Sequence, residues 1–186
     1  MVIAITLAAF ILMSAMPSVG TWMRNTRMRS TAESITNGLM HARNEAVRRN
    51  QPVGFYLVSD NDAVSMSDTC ALSSTSGGWV VAMASPAGKC ATDRDAFIAL
   101  RPTGDNGGGL SIAATDAGGS SATTVTFNGY GQISNVLPIT CIRVTNAIDS
   151  SVRPLNIAVN AGGQVRMCDP QVTDSNDPRV CQAGCN

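Results

Sequence analysis

Residues 26–49 read TRMRSTAESITNGLMHARNEAVRR, and the spacing of their apolar side chains decides how the chain folds. Met28, Ala32, Ile35, Leu39, Ala42 and Ala46 follow one another at steps of 4, 3, 4, 3 and 4 residues. An α-helix turns once in 3.6 residues, so this spacing sets all six on one face. Arg27, Glu33, Asn37, Arg43, Asn44 and Arg48 fall largely off that face. Asn50-Gln51-Pro52 ends the pattern, because proline lacks the N–H that a helix interior needs.

Upstream, residues 1–23 read MVIAITLAAFILMSAMPSVGTWM and contain no charged side chain. About 20 helical residues cover the ~30 Å hydrocarbon core of a bilayer, so a run of this length can span it. A signal peptide would open with a basic stretch and end at a small-x-small cleavage site, whereas this run starts apolar at Met1. It also passes into the amphipathic helix without a polar break. The two segments therefore read as one rod, apolar to Met23 and amphipathic to Arg49. Val2, Ile3, Ile5, Leu7, Phe10, Ile11, Leu12 and Pro17 are the candidates for the membrane or core-forming face. Proline within a span kinks a helix but is tolerated where the freed carbonyl finds a partner.

Charge is unevenly distributed. Residues 1–50 hold six arginines against Glu33 and Glu45, a balance of +4; the remainder carries seven basic and eleven acidic residues, a balance of −4. The whole chain is neutral, with 13 basic and 13 acidic residues, so a globally basic nucleic-acid binder is not indicated.

After Pro52 the pattern changes to short β-type runs. Val53–Val58, Trp79–Ala84, Ala96–Leu100, Val125–Phe127, Ile139–Val144, Leu155–Val159 and Val165–Cys168 are strand candidates. Asn128-Gly129 and Gly162-Gly163 are hairpin-turn signals, since these residues tolerate positive φ. Residues 60–78 and 103–122, rich in Gly, Ser, Asp and Thr, read as long surface loops. The architecture expected is α+β: a long N-terminal helix, membrane-spanning in its first half, packed by its second half on an antiparallel sheet. The divisions are residues 1–23, 24–50 and 51–186.

The six cysteines, Cys70, Cys90, Cys141, Cys168, Cys181 and Cys185, all lie in the β-type region. Their even number and surroundings point to disulfides and an oxidising compartment, with the pairing left open. Zinc is the competing use. The absence of a C-x-x-C pair, and a single histidine, His41, far upstream, weigh against it. No G-x-S-x-G, phosphate loop or metal-ligand cluster is present, so neither an enzyme nor a cofactor is expected. His41 reads as a surface or interface residue, and Arg48-Arg49 as a solvated helix end favoured by the dipole.

Several stretches resemble the family of H-type pseudopilins and T-type fimbrial minor pilins, GspH/FimT. Ser30-Thr31-Ala32-Glu33-Ser34-Ile35 with Leu39, followed by His41-Ala42-Arg43-Asn44-Glu45-Ala46-Val47-Arg48-Arg49-Asn50, is similar to the family's helix end. Gly78-Trp79-Val80-Val81 is similar to its G-W-[VL]-V strand. Phe127-Asn128-Gly129 with Gly131 is similar to its F-x-x-x-G turn, and Gly163-Gln164-Val165-Arg166-Met167-Cys168 to its C-terminal hairpin. The resemblance implies a pilin-like fold and a structural subunit that primes or tips a type IV pilus or a type II secretion filament. Its partners would be other minor pilins, the major pilin or pseudopilins, an inner-membrane assembly platform and the inner membrane itself. The domain beyond the span would be periplasmic. DNA is the alternative partner, through a hairpin in which Gly163 and Arg166 match the family pattern and Gln164 replaces an arginine. The basic leader, the cleaved glycine and the Phe-Thr-Leu-x-Glu stretch of such proteins are absent, and aligning Pro17 with the family's proline puts Met1 directly after that glutamate. The expectation is a truncated or mis-started chain.

Overall fold

The computed structural model describes residues 2–60, 65–104 and 109–185, with helix side chains from residue 20 onward. One helix, α1 (Val2–Arg49), runs for 48 residues, about 72 Å at 1.5 Å per residue. The side chains of Val2, Ile3, Ile5, Leu7, Phe10, Ile11, Leu12 and Pro17 lie outside the described residues. Among the described residues no helix is long and apolar enough to cross a membrane.

The helix ends as its sequence requires. Asn50 adopts φ of 50°, a left-handed conformation that asparagine tolerates better than most residues. Its N–H bonds the Val47 carbonyl at 3.3 Å, and the Gln51 N–H bonds Ala46 at 3.2 Å. These two bonds are the Schellman pair that satisfies the last carbonyls of a helix.

Among the described residues nine strands follow: β1 (Val53–Ser59), β2 (Ala71–Leu72), β3 (Gly78–Ala82), β4 (Ala99–Arg101), β5 (Leu110–Thr115), β6 (Thr124–Phe127), β7 (Cys141–Asn146), β8 (Leu155–Val159) and β9 (Val165–Cys168). They make two antiparallel sheets. In the first, β1 pairs with β3 along one edge and with β2 and β6 along the other, and β4 lies beyond β3. In the second the order is β5-β7-β8-β9.

Both sheets turn their inner faces to α1. Met28, Ala32, Ile35, Leu39, Ala42 and Ala46 are at most 1% exposed. They join Phe55, Leu57, Trp79 and Phe127 from the first sheet and Ile112, Ile142, Val144 and Ile157 from the second in one core. The outer face of the first sheet is not bare: Tyr56, Val58 and Val80 pack there with Met66, Cys70 and Cys90. A strand buried on both faces has no reason to alternate, which is why β1 reads Val-Gly-Phe-Tyr-Leu-Val without a polar break. On the outer face of the second sheet, Cys141 and Ala158 pack against Cys185.

The structure corrects the sequence reading of the two long loops. Within 103–122, Leu110–Thr115 forms β5 and pairs with β7 from Leu110↔Asn146 to Thr115↔Cys141. Its inward positions are Ile112 and Ala114, and alanine carries almost no strand signal of its own. Within 60–78, Ala71–Leu72 pairs with the end of β1 as β2. The third strand ends at Ala82, not Ala84, and the fourth starts at Ala99, after a short 3-10 turn at Arg94–Ala96.

Candidate functional site

The functional element legible in the sequence is the helix, and the structure shows where it is held. Three sets of contacts bind it to the rest of the chain. They lie at the point where it meets the sheets, at its middle and at its C-terminal end.

At the first of these, the loop between β7 and β8 grips the helix. Asp149 Oδ2 accepts from Arg24 Nε at 2.9 Å and forms an ion pair with Arg24 Nη2 at 2.7 Å. Thr21 Oγ1 donates to the same carboxylate at 3.4 Å, and the Arg153 N–H donates to Asn25 Oδ1 at 3.2 Å. Hydrogen bonds from the Ser151 hydroxyl and N–H, followed by those of Arg24, hold the Asp149 carboxyl down at about 2. A depressed carboxylate stabilises the fold above its unfolded value, near 4, and loses that contribution as pH falls through its folded value. The grip on residues 20–25 is therefore expected to be complete above about pH 4 and to release between about pH 4 and pH 2. Hydrogen exchange of the 146–153 amides across that range checks this; protection that stays flat to pH 2 would contradict it.

In the middle, Trp79 of β3 donates its indole N–H to Ser34 Oγ at 3.1 Å within the helix–sheet interface. Its ring lies 5.8 Å from that of Phe55, inclined by 33°. Gly38 of the helix sits on this pair. A Cβ there would meet Phe55 Cε2 at 2.8 Å and Trp79 Cε2 at 2.9 Å. Glycine thus brings the helix backbone down onto the rings. Ser34→Ala leaves the buried indole N–H unpaired and is expected to destabilise the chain by about 1–3 kcal/mol in chemical denaturation. An unchanged midpoint would show that the bond contributes nothing.

At the C-terminal end, Arg43 bonds across 88 residues of sequence, its Nε donating to the Gly131 carbonyl at 3.0 Å. Gly131, at φ of 74°, belongs to the turn after β6, where the Asn128 and Gln132 backbones pair at 2.9 Å. Gly163, at φ of 75°, belongs to the β8–β9 hairpin, and a Cβ on it would lie 1.9 Å from the Gly131 oxygen. Two hairpin turns thus meet beside one arginine of the helix. Between the helix and the β8–β9 hairpin, Met40, Arg43, Asn44, Gly163, Gln164 and Val165 line a shallow cleft of about 220 Å³. Glu45 receives both Arg48 and Arg49 at 2.7 Å, and these hydrogen bonds, Arg48's first, hold its carboxyl at about 2. The two terminal arginines are thus partnered to Glu45 as well as placed at the favourable end of the dipole.

The six cysteines form three disulfides, Cys70–Cys90, Cys141–Cys185 and Cys168–Cys181. The first closes the segment lying over the outer face of the first sheet. The other two fasten residues 169–185 over the second. Arg166 points outward from β9 into this cover, where its guanidinium donates to the Val180 carbonyl while Nε is buried with no hydrogen-bond partner among the described residues. Arg153 pairs with Asp169 at 2.6 Å and Arg179 with Asp177 at 2.7 Å. Gly163, the other residue assigned to DNA contact, is buried in the turn-to-turn contact beside Arg43. His41 is exposed on the helix. The importance of Gly38, Gly131 and Gly163 as contact points escaped the sequence reading, although a glycine inside a helical pattern is itself a signal of close approach.

A family model described as Type II transport protein GspH matches residues 31–163, well over half of the chain. Two crystal structures of the type IV minor pilin FimU of Pseudomonas aeruginosa, strain PAO1, share the fold. The first, at 13% identity and a TM-score of 0.52, covers 83% of this chain and 97% of that one. The second, also at 13% identity, has a TM-score of 0.50 and covers 79% of this chain and 97% of that one. No curated protein matches the chain. The matched stretch begins within the buried stripe of α1, spans both sheets to Gly163 and takes in Arg43 and Gly131, and the chain belongs to the GspH family.

Proposed function

We propose that this chain is a minor pilin or pseudopilin, a structural subunit that primes or tips a type IV pilus or a type II secretion filament. One observation carries the reading. A single helix is covered over its second half by its own sheets, and it continues backward into a run without a charged residue. Such a run needs apolar surroundings, which a bilayer supplies before assembly and the helices of neighbouring subunits supply within a filament. Residues 1–23 act as anchor and filament core, 24–50 as the half that carries the domain, and 51–186 as the periplasmic domain. Its partners are other minor pilins, the major pilin or pseudopilins, the assembly platform and the inner membrane.

Deletion of the gene in its own bacterium, with complementation by the full chain, tests this. Loss of surface filaments places the subunit in a pilus, and loss of extracellular enzymes places it in a secretion system. A deletion that leaves filaments and secretion both intact would sink the proposal.

A further inference from the structure

Three large apolar side chains stand exposed at the end of the domain from which the first half of α1 departs. Trp22 is 68% exposed, Met23 46% and Ile148 76%. Trp22 and Met23 are the last residues of the uncharged run, and Arg24 follows immediately. Ile148 reaches the same end by a separate route. The next residue, Asp149, bonds Arg24 and Thr21, so the β7–β8 loop sits beside the point of departure.

That loop is held from several sides. Asn146 Oδ1 accepts from the N–H groups of Ile148 and Asp149 at 3.0 and 2.9 Å. The Ala147 N–H bonds the Gly109 carbonyl at 2.7 Å. The Ile148 side chain lies across Gly109, where a Cβ would meet its Cγ1 at 2.6 Å. An isoleucine fixed in this way and turned outward is presented to something apolar.

We infer that Trp22, Met23 and Ile148 form a membrane-resting rim, seated at the headgroup level of a bilayer. Indole rings favour that depth, because one end is apolar and the other carries an N–H that water or a headgroup can satisfy. The rim sets the height and tilt of the domain above the membrane, which a spanning helix alone leaves open. The inference rests on the reading of residues 1–23 as a span.

The test places the full chain in phosphatidylcholine–phosphatidylglycerol vesicles carrying bromine either near the lipid carbonyls or near the chain ends. In the unmodified chain Trp22 reports the end of the span, and buried Trp79 is the internal control. A second variant, Trp22→Phe with Ile148→Trp, moves the reporter to the loop, and its near-UV circular dichroism confirms the fold. The inference expects both reporters to shift to the blue and to lose emission to the shallow bromines more than to the deep ones. If Trp22 is quenched and the reporter at position 148 is not, the rim is overturned while the span stands. If neither is quenched, the span fails and the rim falls with it.

Discussion

Gly163→Ala is expected to destabilise the chain by about 2–5 kcal/mol. Two effects add. A Cβ at φ of 75° is disfavoured by about 1–2 kcal/mol. The same atom would lie 1.9 Å from the Gly131 oxygen, and overpacking of this kind costs about 1–3 kcal/mol. The upper half of the range is favoured because the obstacle is a backbone carbonyl, which cannot swing aside as a side-chain end can. That carbonyl also accepts from Arg43, so moving it disturbs the tie between helix and hairpins. Gly162→Ala is the control: its Cβ would meet only Asn160 Oδ1 at 3.4 Å, and a change within about 1 kcal/mol is expected. Denaturation midpoints read both variants, and equal losses at the two positions would refute the contact.

Phe55→Ala should cost about 3–5 kcal/mol, the usual range for removing a fully buried aromatic ring. The cavity opens directly beneath α1, so the helix loses part of its seat. Gly38→Ala is expected to cost about 1–3 kcal/mol by overpacking the same place, less up to about 1 kcal/mol of regained helix propensity. Combined, the two variants should be less damaging than their sum, by about 0.5–3 kcal/mol, because the new methyl enters the space the ring has left. Strict additivity would mean that Gly38 does not rest on Phe55.

Legibility in the sequence follows the range of the forces involved. The rod could be read from residues 26–49 because helical periodicity is local: six apolar positions at alternating steps of 4 and 3 have one low-energy arrangement against a core. The C-terminal stop was readable too, since Asn50 and Pro52 act through their own backbones. Strands with large β-branched or aromatic residues, such as β1, β8 and β9, announced themselves. β5 did not, because Leu-Ser-Ile-Ala-Ala-Thr becomes a strand only when β7 supplies its hydrogen-bond partners.

The sequence by itself determined a continuous helix, apolar and then amphipathic, leading into an antiparallel β region rich in cysteine. Only the tertiary structure decided which cysteines pair, since that depends on which strands become neighbours. Cys141 reaches Cys185 over the outer face of the second sheet, 44 residues away in sequence. Tertiary structure likewise brought Arg43, Gly131 and Gly163 to one point and assigned Arg166 to the Val180 carbonyl. A glycine or an arginine carries no record of what will stand opposite it. Its role is set by contacts between segments distant along the chain, and local periodicity cannot encode them.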